Sequence, residues 1–98
     1  MNVTFSTSAL AALCNSERRL AKRWGNDVGR TVGRRLYELG AANLDNLHRI
    51  PRASVTLDED GEATIDFGAE IIVRGRLTPG EIGEDSIMIT SIEVRGGP

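Results

Sequence analysis

The stretch SALAALCNSERRLAKRWGNDVGRTVGRRLYELGAA, residues 8–42, decides the fold. Leu10, Leu13, Leu20 and Trp24 recur near one face, and Val28, Val32, Leu36 and Leu39 repeat every three to four residues. That spacing is the period of an amphipathic helix. Ser6-Thr7-Ser8 supplies capping hydroxyls ahead of the first run, so a helix is expected from about Ser8. Gly25 separates the two runs and suits a helix end, because glycine enters left-handed backbone without strain. Asn26 or Asp27 is placed to cap the second run, and Gly40 or Asn43 to end it. The stretch therefore reads as a helical hairpin. Asn15-Ser16-Glu17 is weakly helical, so the first arm is either one helix or two short ones. Gly25, Gly29 and Gly33 are spaced by four. Inside a helix each costs about 1 kcal/mol relative to Ala. Either a close neighbour offsets that cost, or the helix tolerates it.

Around this hairpin the pattern changes to period two. Residues 2–6 alternate, with Val3 and Phe5 on one side. Asn43-Leu44-Asp45-Asn46-Leu47 is a connector with room for one helical turn, and Pro51 forces extended backbone on Ile50. Strands are then expected over 54–57, 62–67, 70–77 and 86–94, separated by Asp58-Glu59-Asp60-Gly61, Gly68-Ala69 and a loop through Thr78-Pro79-Gly80 to Asp85. In the third of these, Ile71, Val73 and Gly75 face opposite to Ile72 and Arg74. In the last, strict alternation puts Ile87, Ile89, Ser91 and Glu93 on one face and Met88, Thr90, Ile92 and Val94 on the other. Loops this short join antiparallel strands. The architecture is α+β: an N-terminal strand, a two-helix hairpin, then an antiparallel meander of three to four strands, with the helices on one sheet face.

The 98 residues suffice for one domain, residues 1–98, and not for two cores. Only four residues are aromatic, so the core must come from Leu, Ile, Val and Ala. The net charge of −2 conceals a division. Residues 1–52 hold nine Lys/Arg and four Asp/Glu, while residues 53–98 hold three Arg and ten Asp/Glu. This implies a basic and an acidic surface, or two merely solvated ones. Cys14 is the sole cysteine, which excludes an internal disulfide and a thiolate metal cluster, and its apolar neighbours mark it as a small buried hydrophobe. No cofactor and no metal are expected. No basic segment leads into a long apolar run, and no run reaches membrane-spanning length, so a cytoplasmic protein is expected. Asp66-Phe67-Gly68 spells a kinase magnesium motif, but none of the accompanying kinase signatures is present.

The segments Leu13-Cys14-Asn15-Ser16-Glu17, Leu20-Ala21-Lys22-Arg23-Trp24-Gly25 and Arg35-Leu36-Tyr37-Glu38-Leu39-Gly40-Ala41-Ala42, with the connector and its following Pro, resemble the RelE/ParE toxin superfamily. The likeness is densest with its HigB-like branch, the plasmid-maintenance killer proteins, and covers about half the chain; beyond Pro51 only the strand order is similar. The resemblance implies the toxin of a type II toxin–antitoxin pair, with a HigA-like helix-turn-helix antitoxin as partner. It implies metal-independent cleavage of mRNA on the ribosome, by attack of a ribose 2′-hydroxyl on the adjacent phosphate. Such chemistry needs a base, an acid and cations for the phosphorane.

The chain departs from that pattern where the chemistry should lie. A Tyr-His ending is replaced by Ile92-Glu93-Val94-Arg95, and Glu70 stands near a position the family gives to Arg. Arg74 and Arg76 are two apart and share a face, and Arg95 follows the last strand. These three are the candidate phosphate-binding set, with Arg74 and Arg95 also candidates for catalysis; edge protection or salt bridging is the competing reading. His48, beside Arg49 and Arg52, is the one candidate acid or base, and Arg49 and Arg52 are further candidate RNA contacts. Tyr37 reads as a core-edge residue of the second helix. The helical cations Arg18, Arg19, Lys22, Arg23, Arg30, Arg34 and Arg35 suit nucleic acid, an acidic antitoxin segment, or plain solvent. Two functions follow as expectations: a ribosome-dependent mRNA interferase with a depleted catalytic set, or a catalytically inactive toxin-fold binding module.

Overall fold

The computed structural model describes residues 1–43, 46–50, 53–68, 71–80 and 85–95. Strand β1 (Asn2–Phe5) leads into three helices, α1 (Ser8–Cys14), α2 (Glu17–Trp24) and α3 (Asn26–Ala41). A 3-10 turn (Leu47–Arg49) then precedes β2 (Ala53–Leu57), β3 (Glu62–Phe67), β4 (Ile71–Thr78) and β5 (Ser86–Val94). The class is α+β, with a mixed five-stranded sheet in the order β1-β5-β4-β3-β2. The four later strands form an antiparallel meander, and β1 joins it parallel to β5, with Val3 beside Ile87 and Phe5 beside Ile89.

The first arm is two short helices rather than one, and the reason lies at Asn15-Ser16. The Ser16 hydroxyl accepts the amide of Arg19 and opens a fresh helix, as the Thr7 hydroxyl does for Leu10 in α1. Each cap satisfies a backbone donor that the helix itself leaves orphaned. Gly25, at φ 90°, both ends α2 and starts α3, so neither Asn26 nor Asp27 is the cap. Gly29 settles one open question. A Cβ there would lie 2.7 Å from the carbonyl of Leu20, so α2 and α3 touch backbone to backbone. At Gly33 the nearest group is the Leu20 Cδ1, 3.6 Å away, and that glycine is merely tolerated. At the far end of α3 the amino terminus of Met1 donates to the carbonyls of Gly40 and Ala42, placing a cation where the helix dipole is negative.

Leu20, Val32 and Leu39 from the helices meet Ile65, Phe67, Ile71, Val73, Ile87 and Ile89 from the sheet in one core. The alternation expected for β5 fails after Ile89. A β-bulge sets Arg74 opposite Ser91 but Gly75 opposite Ile89, leaving Thr90 as the extra residue. Its hydroxyl donates to the Arg74 carbonyl, 3.2 Å away. The bulge sits where a side chain at Gly75 would press within 2.6 Å of the Met88 carbonyl. Its consequence is a change of phase: Ile92 and Val94 pack on the core, and Ser91 and Glu93 turn to the opposite, helix-free face. No helix among the described residues is long and apolar enough to cross a membrane.

Candidate functional site

The helix-free face of the sheet carries Arg74 and Arg76 on β4, because residues two apart on a strand point the same way. Glu62, Thr64 and Asp66 of β3 stand opposite Arg76, Arg74 and Ile72. The bulge delivers Glu93 to this same face. Arg74 Nη1 lies 3.8 Å from Glu93 Oε1, and the Arg95 Nε donates to the other oxygen of that carboxylate. Arg76 is held separately: one guanidinium nitrogen is 3.1 Å from Glu62 Oε1 and the other donates to the Asp60 carbonyl at 3.3 Å. The three candidate arginines thus share a face, each against a carboxylate.

His48 and Arg49 are exposed in the 3-10 turn, which packs beside β2 at the sheet's far edge, two strands from β4. The structure does not bring them to Arg74 and Arg95. Arg52 and Glu70 lie outside the described residues. Tyr37 is not a core-edge residue: it projects from α3 with 77 % of its surface exposed. The reason is its angular position, since Leu39 and Val32 define the buried line of α3 and Tyr37 falls off it. Among the described residues the arginine face therefore holds no imidazole and no phenol. Its side chains can bind an anion, and besides arginine its ionisable groups are the carboxylates of Glu62, Asp66 and Glu93, of which Glu62 and Glu93 are engaged by Arg76 and by Arg74 with Arg95. A base or acid positioned on a 2′-hydroxyl is worth ~10²–10⁴ in rate.

The Glu93 carboxylate is the arrangement's decisive group. Replacing it (Glu93→Gln) removes the negative charge that Arg74 and Arg95 share. Exposed ion pairs contribute only about 0–1 kcal/mol, so the melting temperature is expected to move little. Affinity for single-stranded RNA at low salt is expected to rise about tenfold, with a steeper dependence on salt concentration, as a charge-neutralising contact is added. Fluorescence anisotropy across a salt series measures both.

The helical layer presents a different surface. Arg18, Arg19, Lys22, Arg23, Arg30 and Arg34 are exposed. Arg23 lies over the Trp24 ring at 5.3 Å. Arg35 is the exception among the helical cations: it turns toward the sheet, stacks on Phe67 at 5.2 Å and pairs with Glu38 at 3.0 Å. A groove of about 530 Å³ runs between β1, α1 and α3, lined by Val3, Phe5, Cys14, Leu36 and Tyr37. It continues past Gly33 to a cleft bordered by Arg30 and Arg34. On the other side of Tyr37 a second hollow of about 330 Å³ reaches Arg49. The outer surface of α3 is thus a chain of hollows, mainly apolar on either side of Tyr37 and mixed beside Arg30 and Arg34, with Glu17 and Glu38 also in their walls.

Cys14, expected as buried, is half-buried in this groove. Desolvation pushes its thiol up from 9.0 to about 11, which makes it a poor nucleophile near neutrality. A folded-state value above the unfolded one means that the protonated thiol favours the fold. That contribution is complete below pH 9 and lost as pH rises through 11. The urea midpoint of the wild type should therefore fall more steeply between pH 9 and 11 than that of Cys14→Ser.

No family model, no curated protein and no solved structure matches this chain.

Proposed function

We propose that this chain is a toxin-fold binding module of the RelE/ParE type, in the HigB-like branch, which assembles with a HigA-like helix-turn-helix antitoxin and has little ribonuclease activity. The family assignment rests on the segments from Leu13 to Ala42 and on the order of an N-terminal strand, helices and a meander in one sheet. The choice of binding over cleavage rests on one observation: Arg74 and Arg95 converge on Glu93 rather than on an open anion site. The apolar groove beside Tyr37 and the exposed Arg30 and Arg34 next to it suit a partner segment carrying acidic and apolar side chains.

The second reading is ribosome-dependent mRNA cleavage with a depleted catalytic set. It is favoured by the presence of Arg74, Arg76 and Arg95 on one face, where an RNA phosphate would compete with Glu93 and Glu62. Co-expression with the helix-turn-helix product of a neighbouring reading frame separates the two. The binding module forms a stable complex that Arg30→Glu with Arg34→Glu weakens at least about tenfold. Expressed alone, it leaves ribosome-bound mRNA intact; growth arrest with cleavage at codons would establish the second reading instead.

A further inference from the structure

We propose that two copies of this chain join through strand β2, edge to edge and antiparallel, extending the two five-stranded sheets into one of ten strands. β2 is an outer strand of the sheet, and Ala53–Leu57 contains no charged residue and no proline. Natural edges are commonly blunted by such residues, and this strand carries none; the 3-10 turn that packs beside β2 is bonded to it at Ala53, through the Ile50 carbonyl.

The hydrogen-bond parity of β2 fixes what the edge offers. Asp58 donates its amide to the Glu62 carbonyl, and Leu77 donates to Gly61. With Asp58 bonded to Glu62, the alternation of an antiparallel ladder makes Thr56 and Ser54 the residues bonded to β3, at Thr64 and Asp66. Val55 and Leu57 then direct their N–H and C=O groups away from β3. The amide of Ala53 is already used, donating to the Ile50 carbonyl at 3.0 Å. The available groups are therefore those of Val55 and Leu57. One register uses all of them: Val55 of each copy opposite Leu57 of the other, making four backbone hydrogen bonds about a two-fold axis at Thr56. A self-complementary contact of this kind closes as a dimer and does not propagate.

The side chains agree with this register. Leu57, an exposed large hydrophobic residue at 58 %, lies on the helix-side face with Val55. In the joint each Leu57 packs against the other copy's Val55. The ends of β2 are of opposite charge, with exposed Asp58, Glu59 and Asp60 at one and exposed Arg49 at the other. Antiparallel pairing sets each acidic turn beside the other copy's basic end. The other outer strand, β1, is four residues long and pairs parallel to β5.

The test is sedimentation equilibrium over a wide concentration range. The wild type should show a monomer–dimer equilibrium. Thr56 is exposed on the helix-free face and meets its own counterpart across the axis. Thr56→Lys and Thr56→Glu place like charges directly opposite and should each weaken association by about tenfold or more, with the melting temperature unchanged at concentrations where the wild type is monomeric. Mixing the two variants should restore the dimer. In a Cys14→Ser background, Thr56→Cys should form a disulfide-linked dimer on mild oxidation, because a non-hydrogen-bonded pair brings the Cα atoms to about 4.5 Å. Ser54→Cys should not. A wild type that stays monomeric at all concentrations, even one that accepts an added strand-like peptide, overturns the proposal. So does a dimer that persists in both charged variants, or one that Ser54→Cys crosslinks as readily as Thr56→Cys.

Discussion

Gly29→Ala is expected to destabilise the protein by about 2–3 kcal/mol, the upper part of the ~1–3 kcal/mol range for extra atoms forced into a filled contact. In an exposed helix the same substitution gains about 1 kcal/mol. Here the added Cβ would lie 2.7 Å from the carbonyl carbon and oxygen of Leu20 and 2.8 Å from the amide nitrogen of Ala21. These are backbone atoms of α2, and no rotamer change can move them aside. Either α2 shifts away from α3, or Leu20 leaves the core. Gly33 provides the control one turn along. Its added Cβ would meet only the Leu20 Cδ1 at 3.6 Å, an ordinary contact. Gly33→Ala should therefore stabilise the fold by about 0.5–1 kcal/mol through helix propensity. Urea denaturation of the two variants gives the opposite signs directly. Equal effects at both positions would show that backbone contact between α2 and α3 is not what selects glycine at position 29.

Leu39→Ala should cost more, about 3–5 kcal/mol. Leu39 is fully buried on α3, in the cluster with Ile65, Ile87 and Ile89 that ties the helical layer to the sheet. Truncation loses the transfer free energy of the side chain and leaves a hole lined by residues fixed in a β-sheet, which relaxes little. A domain of this size has about 5–15 kcal/mol in total, so the variant approaches unfolding at growth temperature. Tyr37→Ala, two residues away on the same helix but exposed, should change stability by less than about 0.5 kcal/mol. Denaturation midpoints at unchanged slope distinguish the two.

The period of the helical stretch and the turn signals placed most elements correctly. β3 and β5 have the bounds that their flanking Gly, Asp and Pro residues indicate. What was not legible depended on contacts distant in sequence. The parallel pairing of β1 with β5 joins residues over 80 positions apart, and nothing local encodes it. The bulge at Thr90 arises from close approach to Gly75 and reverses the expected faces of Ile92, Glu93 and Val94. That reversal decides the candidate site. Strict alternation sends Glu93 to the same side as Ile87, whereas the bulge sets it between Arg74 and Arg95. Arg74 and Arg76 could be placed on one surface from spacing alone, but Arg95 and the neutralising carboxylates could not. Ser16 as a helix start was legible only as an alternative, because Asn15-Ser16 is compatible with a weakened continuous helix as well as with a cap.

The central claim is that the arginine face is too depleted for catalysis and that the chain acts by binding. Mapping 5′ ends of mRNA on purified, programmed ribosomes after adding the chain tests it most directly. The account predicts no cleavage above background, for the wild type and for Glu93→Gln alike, since in the wild type the Glu93 carboxylate is held by Arg74 and Arg95, and the substitution frees those cations only by removing that carboxylate. Codon-positioned cleavage by the wild type that is lost in Arg74→Ala or Arg95→Ala would contradict it.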